Sequence, residues 1–368
     1  MKIIIATDKF KGSLTSFEAC EAIAGGISTV HPDWETRSFP MADGGDGFAT
    51  VMKHYLHTDT VTCQTQDPLG RPLQASYELK DAVAIIEMAT ASGMVLLKEE
   101  ERSALKASTY GTGLMIRHAI ERGAKKLILG LGGSATNDAG TGILTALGFQ
   151  LLDEYDQPLS GCGGNLVHIR RIIPPSTLFD IQIDIAVDVQ NVLYGPDGAA
   201  YVYAPQKGAS PADVELLDAG LKNFANLLPK NIADIPGTGA AGGIAAGLMG
   251  FFDVSLHKGI RIVMESSGIQ QQISGAGLVI TGEGKIDGQS LYGKVVAEIA
   301  TLAHSHHIPA IAFCGIDETE ANDLAAMHLR SVTPIAPPGV DRKVAMQQAA
   351  PMLRDAVRSE FSSGYVTE

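Results

Sequence analysis

The sequence predicts an α/β protein of two domains: a discontinuous flavodoxin-like parallel-sheet domain interrupted by an inserted mixed α/β domain. Three observations carry that reading. Short apolar runs such as KIIIA (2–6), KLILG (126–130) and AIAFC (310–314) alternate with helical stretches. The simple strand–helix rhythm occurs twice before residue 58 and three times after about residue 275, which gives the five parallel strands of a flavodoxin-like layer. The chain has 368 residues, more than one core usually serves.

Taken in order, KIIIA is strand-like, and Thr15-Ser-Phe-Glu18 has the form of a capping box ahead of a helix from Ser16 to about Val30. RSFP (37–40) reads as a second strand and 46–57 as a second helix. After His57 the texture changes. VTCQTQ, RPLQASYEL and AVAIIEM read as closely spaced strands joined by turns such as Asp67-Pro-Leu-Gly70, with no helix between them. Helical pattern returns at 110–122, followed by the strand KLILG and a helix over about 138–147. IDIAVDV (183–189) is a further strand, and LVIT (278–281), AIAFC and SVTPI (331–335) resume the strand–helix rhythm. The expected domains are therefore 1–58 plus 262–368 for the flavodoxin-like part and 59–261 for the insertion. The tail SSGYVTE is expected to fray.

Composition limits the partners. Lys and Arg number 28 against 41 Asp and Glu, a formal charge of −13, so no basic stripe is offered to nucleic acid or to an anionic membrane. The N-terminal apolar run IIIA is too short for a signal peptide, and no stretch reaches the roughly 20 apolar residues of a membrane span. Cys20, Cys63, Cys162 and Cys314 are scattered without a C-x-x-C pair, as expected of reduced thiols. A cytoplasmic location is the expectation. An anionic small substrate would have to be held by a few local cations.

Several loops offer such cations or a place for an anion. GLGGSATND (130–138) follows a strand and precedes a helix, where backbone N–H groups uncovered by Cβ atoms form an anion site. Gly132, Gly133, Ser134 and Thr136 are its candidates; the alternative is a turn in which Thr136, Asn137 or Asp138 caps the helix. TDKFKGSL (7–14) places Asp8, Lys9, Lys11 and Ser13 at the carboxyl end of the first strand, the edge where open α/β sheets bind ligands. MADGGDG (41–47) supplies Asp43 and Asp46 after the second strand, to hold a divalent ion, accept a hydroxyl hydrogen bond or, for Asp46, cap a helix. Asp188, near Asn191, is read either as a general base for a substrate hydroxyl or as a turn aspartate. Lys207 stands in the loop APQKGA (204–209).

TGEGKIDGQSLYGKV (281–295) contains G-x-x-x-x-G-K ending at Lys294, but Val295 stands where a phosphate loop needs Ser or Thr, so that motif is rejected. What remains is a polar loop carrying Glu283, Lys285, Asp287, Gln289 and Lys294. GTGAAGG (237–243) matches a dinucleotide fingerprint without the strand before it, and reads better as a closely packed Gly/Ala helix. His304, His306 and His307 lack a paired carboxylate and are not read as a metal site.

Together DKFKGSL, MADGGDG, GLGGSATND, the Asp188–Asn191 segment, APQKGA, GTGAAGGIAAGL and TGEGKIDGQS resemble the landmark blocks of the type 1 glycerate kinases, in the same order and across essentially the whole chain. The departures are small. Thr7 stands where the family often has Pro and Asp46 where Glu is usual; Ala139 and Ala204 replace glycines, and Val192 replaces a Pro. The resemblance implies ATP-dependent phosphorylation of D-glycerate with Mg²⁺, on a two-domain α/β fold with the active-site cleft between the domains. The bacterial members are described as forming 2-phosphoglycerate. Phosphorylation of the 3-hydroxyl, or a non-catalytic small-anion sensor, are the rival expectations.

On that reading Asp188, Asp43 and Lys9 are the catalytic candidates. Asp8, Lys11, Ser13, Asn191 and Lys207 would bind glycerate. Gly132, Gly133, Ser134, Thr136, Asn137, Asp138, Gln289 and Lys294 would bind nucleotide phosphate, and Glu283 or Asp287 would hold Mg²⁺ directly or through water. Neither a nucleic-acid nor a membrane partner is expected.

Overall fold

The computed structural model describes residues 1–288 and 294–362. The start of the chain carries β1 (Lys2–Thr7) and β2 (Glu35–Ser38). The middle supplies β3 (Asp59–Gln66), β4 (Pro72–Lys80), β5 (Val83–Glu87), β6 (Lys126–Gly130), β7 (Gln150–Leu152), β8 (Pro158–Leu159), β9 (Arg171–Ile173), β10 (Gln182–Ala186) and β11 (Asp253–His257). β12 (Leu278–Asp287), β13 (Ala310–Glu318) and β14 (Ser331–Pro334) follow. Two compact units result: Met1–Asp43 together with the chain from Ile260 onward, and Gly44–Gly259.

The first unit is built on a five-stranded sheet in the order β14-β13-β12-β1-β2, every neighbouring pair parallel. Counted within the unit, this is the 2-1-3-4-5 order of flavodoxin-like folds, with its topological switch point between β1 and β12. Ile3, Ile4, Ile5 and Ala6 are all inaccessible to solvent, as a strand covered on both faces requires. Helix Ser16–Val30 covers one face together with Ala349–Ser362, and the two helices approach so closely that a Cβ on Gly26 would lie 2.8 Å from the Arg354 carbonyl oxygen. The predicted capping box is present: Thr15 Oγ1 accepts from the Glu18 amide at 3.2 Å while the Thr15 amide donates to Glu18 Oε2 at 2.8 Å. Helix Val295–Ser305 packs on β12 and β13 with Val296, Ile299 and Ala300 buried.

The second unit holds a six-stranded mixed sheet in the order β11-β10-β6-β5-β4-β3. β11, β10, β6 and β5 run parallel, whereas β4 and β3 are antiparallel. The turn after β3 dictates the latter: the Asp67 amide donates to the Arg71 carbonyl at 2.9 Å, with Gly70 at φ 85, and so short a link joins only antiparallel strands. Leu127, Leu129, Ile183, Ile185 and Ile86 bring the sheet into the core, together with Tyr77 and Ala75 of β4 and Cys63 of β3. A small antiparallel sheet, β8-β7-β9, belongs to the same unit. No helix among the described residues is long and apolar enough to cross a membrane.

Four differences from the sequence reading have local causes. Helix Phe48–Leu56, expected with the flavodoxin-like part, packs instead on β5, where the Ala49 amide donates to Glu87 Oε1 at 2.7 Å and Phe48 is fully buried. β10 ends at Ala186, short of Asp188. The helix expected from about 138 begins at Thr141, because residues 131–140 are held as a loop by Asp138. The polar segment after LVIT is not a loop at its start: β12 continues to Asp287, pairing Lys285–Asp287 with Ile316–Glu318.

Candidate functional site

At the carboxyl edge of the first unit's sheet, β1 ends at Thr7, whose neighbour Asp8 donates its amide to the Gly282 carbonyl of β12 at 2.9 Å. Asp8 is therefore seated at the switch point itself, and it is buried. Burial pushes its carboxyl up from 3.8 to about 7; the Asp43 carboxylate adds to the rise, and the Lys9 ammonium and amide draw it back. The Lys9 amide donates to Asp8 Oδ1 at 2.7 Å. Lys9 Nζ lies 3.3 Å from Asp43 Oδ1 and 3.7 Å from Asp8 Oδ1. Asp43, which follows β2 in the same unit, is one-third exposed, so this ion pair is reachable from water. The turn 10–14 is closed by mutual backbone bonds between Phe10 and Leu14 with Gly12 at φ 78. Ser13 Oγ donates to the Phe10 carbonyl at 2.9 Å, and Lys11 projects from the turn exposed.

β12 adds a second charged group to this edge. Glu283 is buried, and Lys294 Nζ lies 4.0 Å from its Oε2 and 3.8 Å from Asp287 Oδ1. Lys285 is held by Asp287 at 3.1 Å and Glu318 at 2.8 Å. Among the described residues no three His, Cys, Asp or Glu side chains converge as a cation cage. Glu283 and Asp287 thus both face the Lys294 ammonium. Gln289 lies outside the described residues.

In the second unit the loop after β6 turns its polar groups inward. A Cβ on Gly132 would sit 2.4 Å from the Gly45 Cα, so only glycine fits there, and Gly133 has φ 72. Asp138 is fully buried and accepts from the Thr109 amide and hydroxyl at 2.8 Å each, from Gly140 N at 3.1 Å and from Gly142 N at 3.2 Å. Burial raises its carboxyl pKa against those four bonds. Lys207 is also buried, donating to Ser134 Oγ and to the Thr136 carbonyl at 2.7 Å each. Burial pushes its ammonium down from 10.5 to about 7, opposed by the Asp138 carboxylate. Thr136 Oγ1 and both amide atoms of Asn137 are buried without a hydrogen-bond partner among the described residues. Buried polar atoms are normally satisfied, so these three mark a place for water or ligand.

Asp188 and Asn191 stand past the end of β10. Asp188 Oδ1 accepts from the Gly259 amide at 3.1 Å, and Asn191 is tied to the Asp197 carbonyl at 2.8 Å and to Tyr203 Oη at 2.6 Å. Thus Asp8, Lys9 and Asp43 converge in the first unit with Glu283 within electrostatic reach of Asp8, while Ser134, Thr136 and Lys207 converge in the second. Thr109 was not singled out by any motif. Its place before the predicted helix at 110 was readable as a cap, but its bonds to Asp138, 29 residues away, were not.

Comparison with known proteins gives a consistent set of matches. The model of the glycerate kinase family matches residues 3–362. A glycerate kinase of Halalkalibacterium halodurans is 39% identical over 367 residues, covering 97% of this chain and 96% of that one. The glycerate 2-kinase of Escherichia coli K12 is 39% identical over 342 residues, covering 90% and 89%. Among solved structures, that of a protein provisionally named glycerate kinase 2 from Salmonella typhimurium LT2 superposes with a TM-score of 0.84 at 35% identity, covering 99% of this chain and 98% of that one.

Proposed function

The chain belongs to the glycerate kinase family and is an enzyme that phosphorylates glycerate with ATP as donor, and we propose that it forms 2-phosphoglycerate from D-glycerate by means of the charged edge around Lys9. The observation that supports this most is the Lys9 ammonium held between the Asp8 and Asp43 carboxylates at the switch point of a parallel sheet. Ligands of open α/β sheets bind at that edge. Phosphoryl transfer asks the protein mainly for positioning and charge neutralisation. A compact ammonium there suits either the glycerate carboxylate or the moving phosphoryl group.

Further roles follow from side-chain chemistry. Lys11 would add an exposed cation for the same anion. Ser13 already donates its hydroxyl hydrogen to Phe10, so its part in binding glycerate would be as an acceptor. Asp43 or Asp188 would take the proton of the attacking hydroxyl, whose oxygen bonds to the γ-phosphorus as the bond to the β-phosphate oxygen breaks and ADP leaves. Bare backbone at Gly132 and Gly133, with Ser134, Thr136, Asn137 and Asp138, would shape the phosphate loop, Lys207 fixing its geometry from beneath. Lys294 would meet nucleotide phosphate. Mg²⁺ would enter on the nucleotide and reach Glu283 or Asp287 directly or through water, offsetting triphosphate charge. We place the protein in the cytoplasm and take the two compact units as its two domains.

A coupled ADP assay with D-glycerate, followed by phosphorus NMR of the product, tests the reading. Glycerate-dependent ADP release with phosphate on the 2-hydroxyl is expected; a 3-phosphate would overturn the regiochemistry. Chelation by EDTA should abolish turnover while leaving the melting temperature of the nucleotide-free protein unchanged.

A further inference from the structure

The carboxyl edge of the first unit's sheet also carries a recess of about 80 Å³. Phe10, Ile335, Ala345 and Met346 give it apolar walls, and Gly284 and Gly315 lie in its floor. Those two glycines sit opposite each other, since Glu283 pairs with Cys314 and Lys285 with Ile316. A Cβ on Gly315 would lie 2.7 Å from the Gly284 carbonyl oxygen, and one on Gly284 would lie 3.0 Å from the Lys11 amide nitrogen. At both positions the space a Cβ would take is already filled by backbone, so the glycines let β12, β13 and the turn after β1 pack tightly beside the recess. Ile316 beside them is 39% exposed, an apolar group left in water next to the floor.

The recess opens into a groove of about 690 Å³ that shares Ser13, Arg342 and Met346 and adds Asp341 and Lys343. Asp341 turns its carboxylate into its own helix, accepting from the Lys343 and Val344 amides at 2.9 and 3.3 Å. Lys11, Arg342 and Lys343 are then the cations along the opening. Of the two reactants, glycerate is small and polar throughout. Only the nucleotide joins a flat, largely apolar ring to an anionic tail, the pattern of this recess and its rim.

We propose that the recess holds the purine ring of ATP, with Lys11 and Arg342 as the cations nearest its ribose and phosphates. The assignment rests on the kinase reading above. Ala345→Phe, placed on the helix wall, fills the recess. Calorimetric titration of ATP into the glycerate-free protein should then give a Kd raised roughly tenfold or more; an unchanged Kd overturns the proposal. If the variant does not fold, photolabelling of the parent chain with 8-azido-ATP, protected by ATP, decides. Label on peptides holding residues 10–13 or 335–346 supports the site, and protected label elsewhere overturns it. Labelling at the recess without glycerate-dependent ADP release would sink the kinase reading alone. Turnover with label elsewhere would sink the recess alone.

Discussion

The loop after β1 and the loop after β6 each leave a buried parallel strand at its carboxyl end, and beyond the buried Asp8 they differ in how far their charged side chains reach water. After β1, Lys9 and Asp43 stay partly in water and hold each other at 3.3 Å. After β6, Thr136, Asn137, Asp138 and Lys207 are almost wholly buried, and Asp138 and Lys207 are bonded within the unit. A partly exposed ion pair can exchange one partner for an incoming anion at smaller cost than a sealed one. A buried charge cannot, because its solvation has been replaced by fixed donors. On the proposed function, the difference separates groups that would meet ligand from groups that would hold a loop in place.

The largest expected effect tests the inward-facing loop. Asp138→Ala leaves four donors without a charged acceptor in a dry site, which costs about 3–5 kcal/mol of stability. A thermal midpoint equal to the parent's would break the contrast from that side. Next comes Lys9→Ala, expected to lower kcat/KM by about 10²–10³, or roughly 2–4 kcal/mol of transition-state stabilisation, with little change in melting. Large destabilisation with intact activity would show that Lys9 is the structural residue instead.

The pH dependence of stability sharpens the comparison, since the two regions have opposite slopes. Between its ordinary 3.8 and about 7, folded Asp8 holds a proton that the unfolded chain has released, so its contribution falls as pH rises through that window. Lys207 does the reverse: from about 7 to 10.5 the unfolded chain keeps a proton that the folded chain has lost, so stability rises with pH there. Each effect is on the order of a few kcal/mol. In urea titrations Asp8→Asn should flatten the acid slope and Lys207→Met the alkaline one, and a slope that survives its own substitution refutes that assignment. The smallest effect is expected at Ala139, buried and left-handed at φ 52. Ala139→Gly relieves about 1–2 kcal/mol of backbone strain and loses about as much in methyl burial and chain entropy, so urea unfolding should move by less than about 1 kcal/mol.

Much of the framework was readable because it is local. Five strand runs with their helices, the Thr15–Glu18 box and the turn at Asp67–Gly70 all depend on side chains a few positions apart. The strand reading failed where pairing overrides local polarity: TGEGKID looks like a loop until residues 310–318 give it a partner. The packing of helix Phe48–Leu56 on β5 was unreadable for the same kind of reason, since an amphipathic helix does not state which sheet will cover it. Of the site, the identities of Lys9, Asp43, Glu283 and the glycines were legible as clustered charge and missing bulk. The recess was not, because Gly315, Ile335 and Met346 lie in three separate segments that carry no motif.

Spacing and residue type alone therefore determined that this protein has a flavodoxin-like parallel layer with charged loops at its carboxyl edge. Tertiary structure decided which charged side chains, in either unit, meet water. Burial is set by what packs above a side chain from elsewhere in the chain: Asp138 is sealed by Thr109 and the Gly140–Gly142 turn, and Lys207 sits under Ser134 and Thr136. Lys9 is paired with two carboxylates while its side chain stays 21% exposed to water. Desolvation, not sequence context, draws that line.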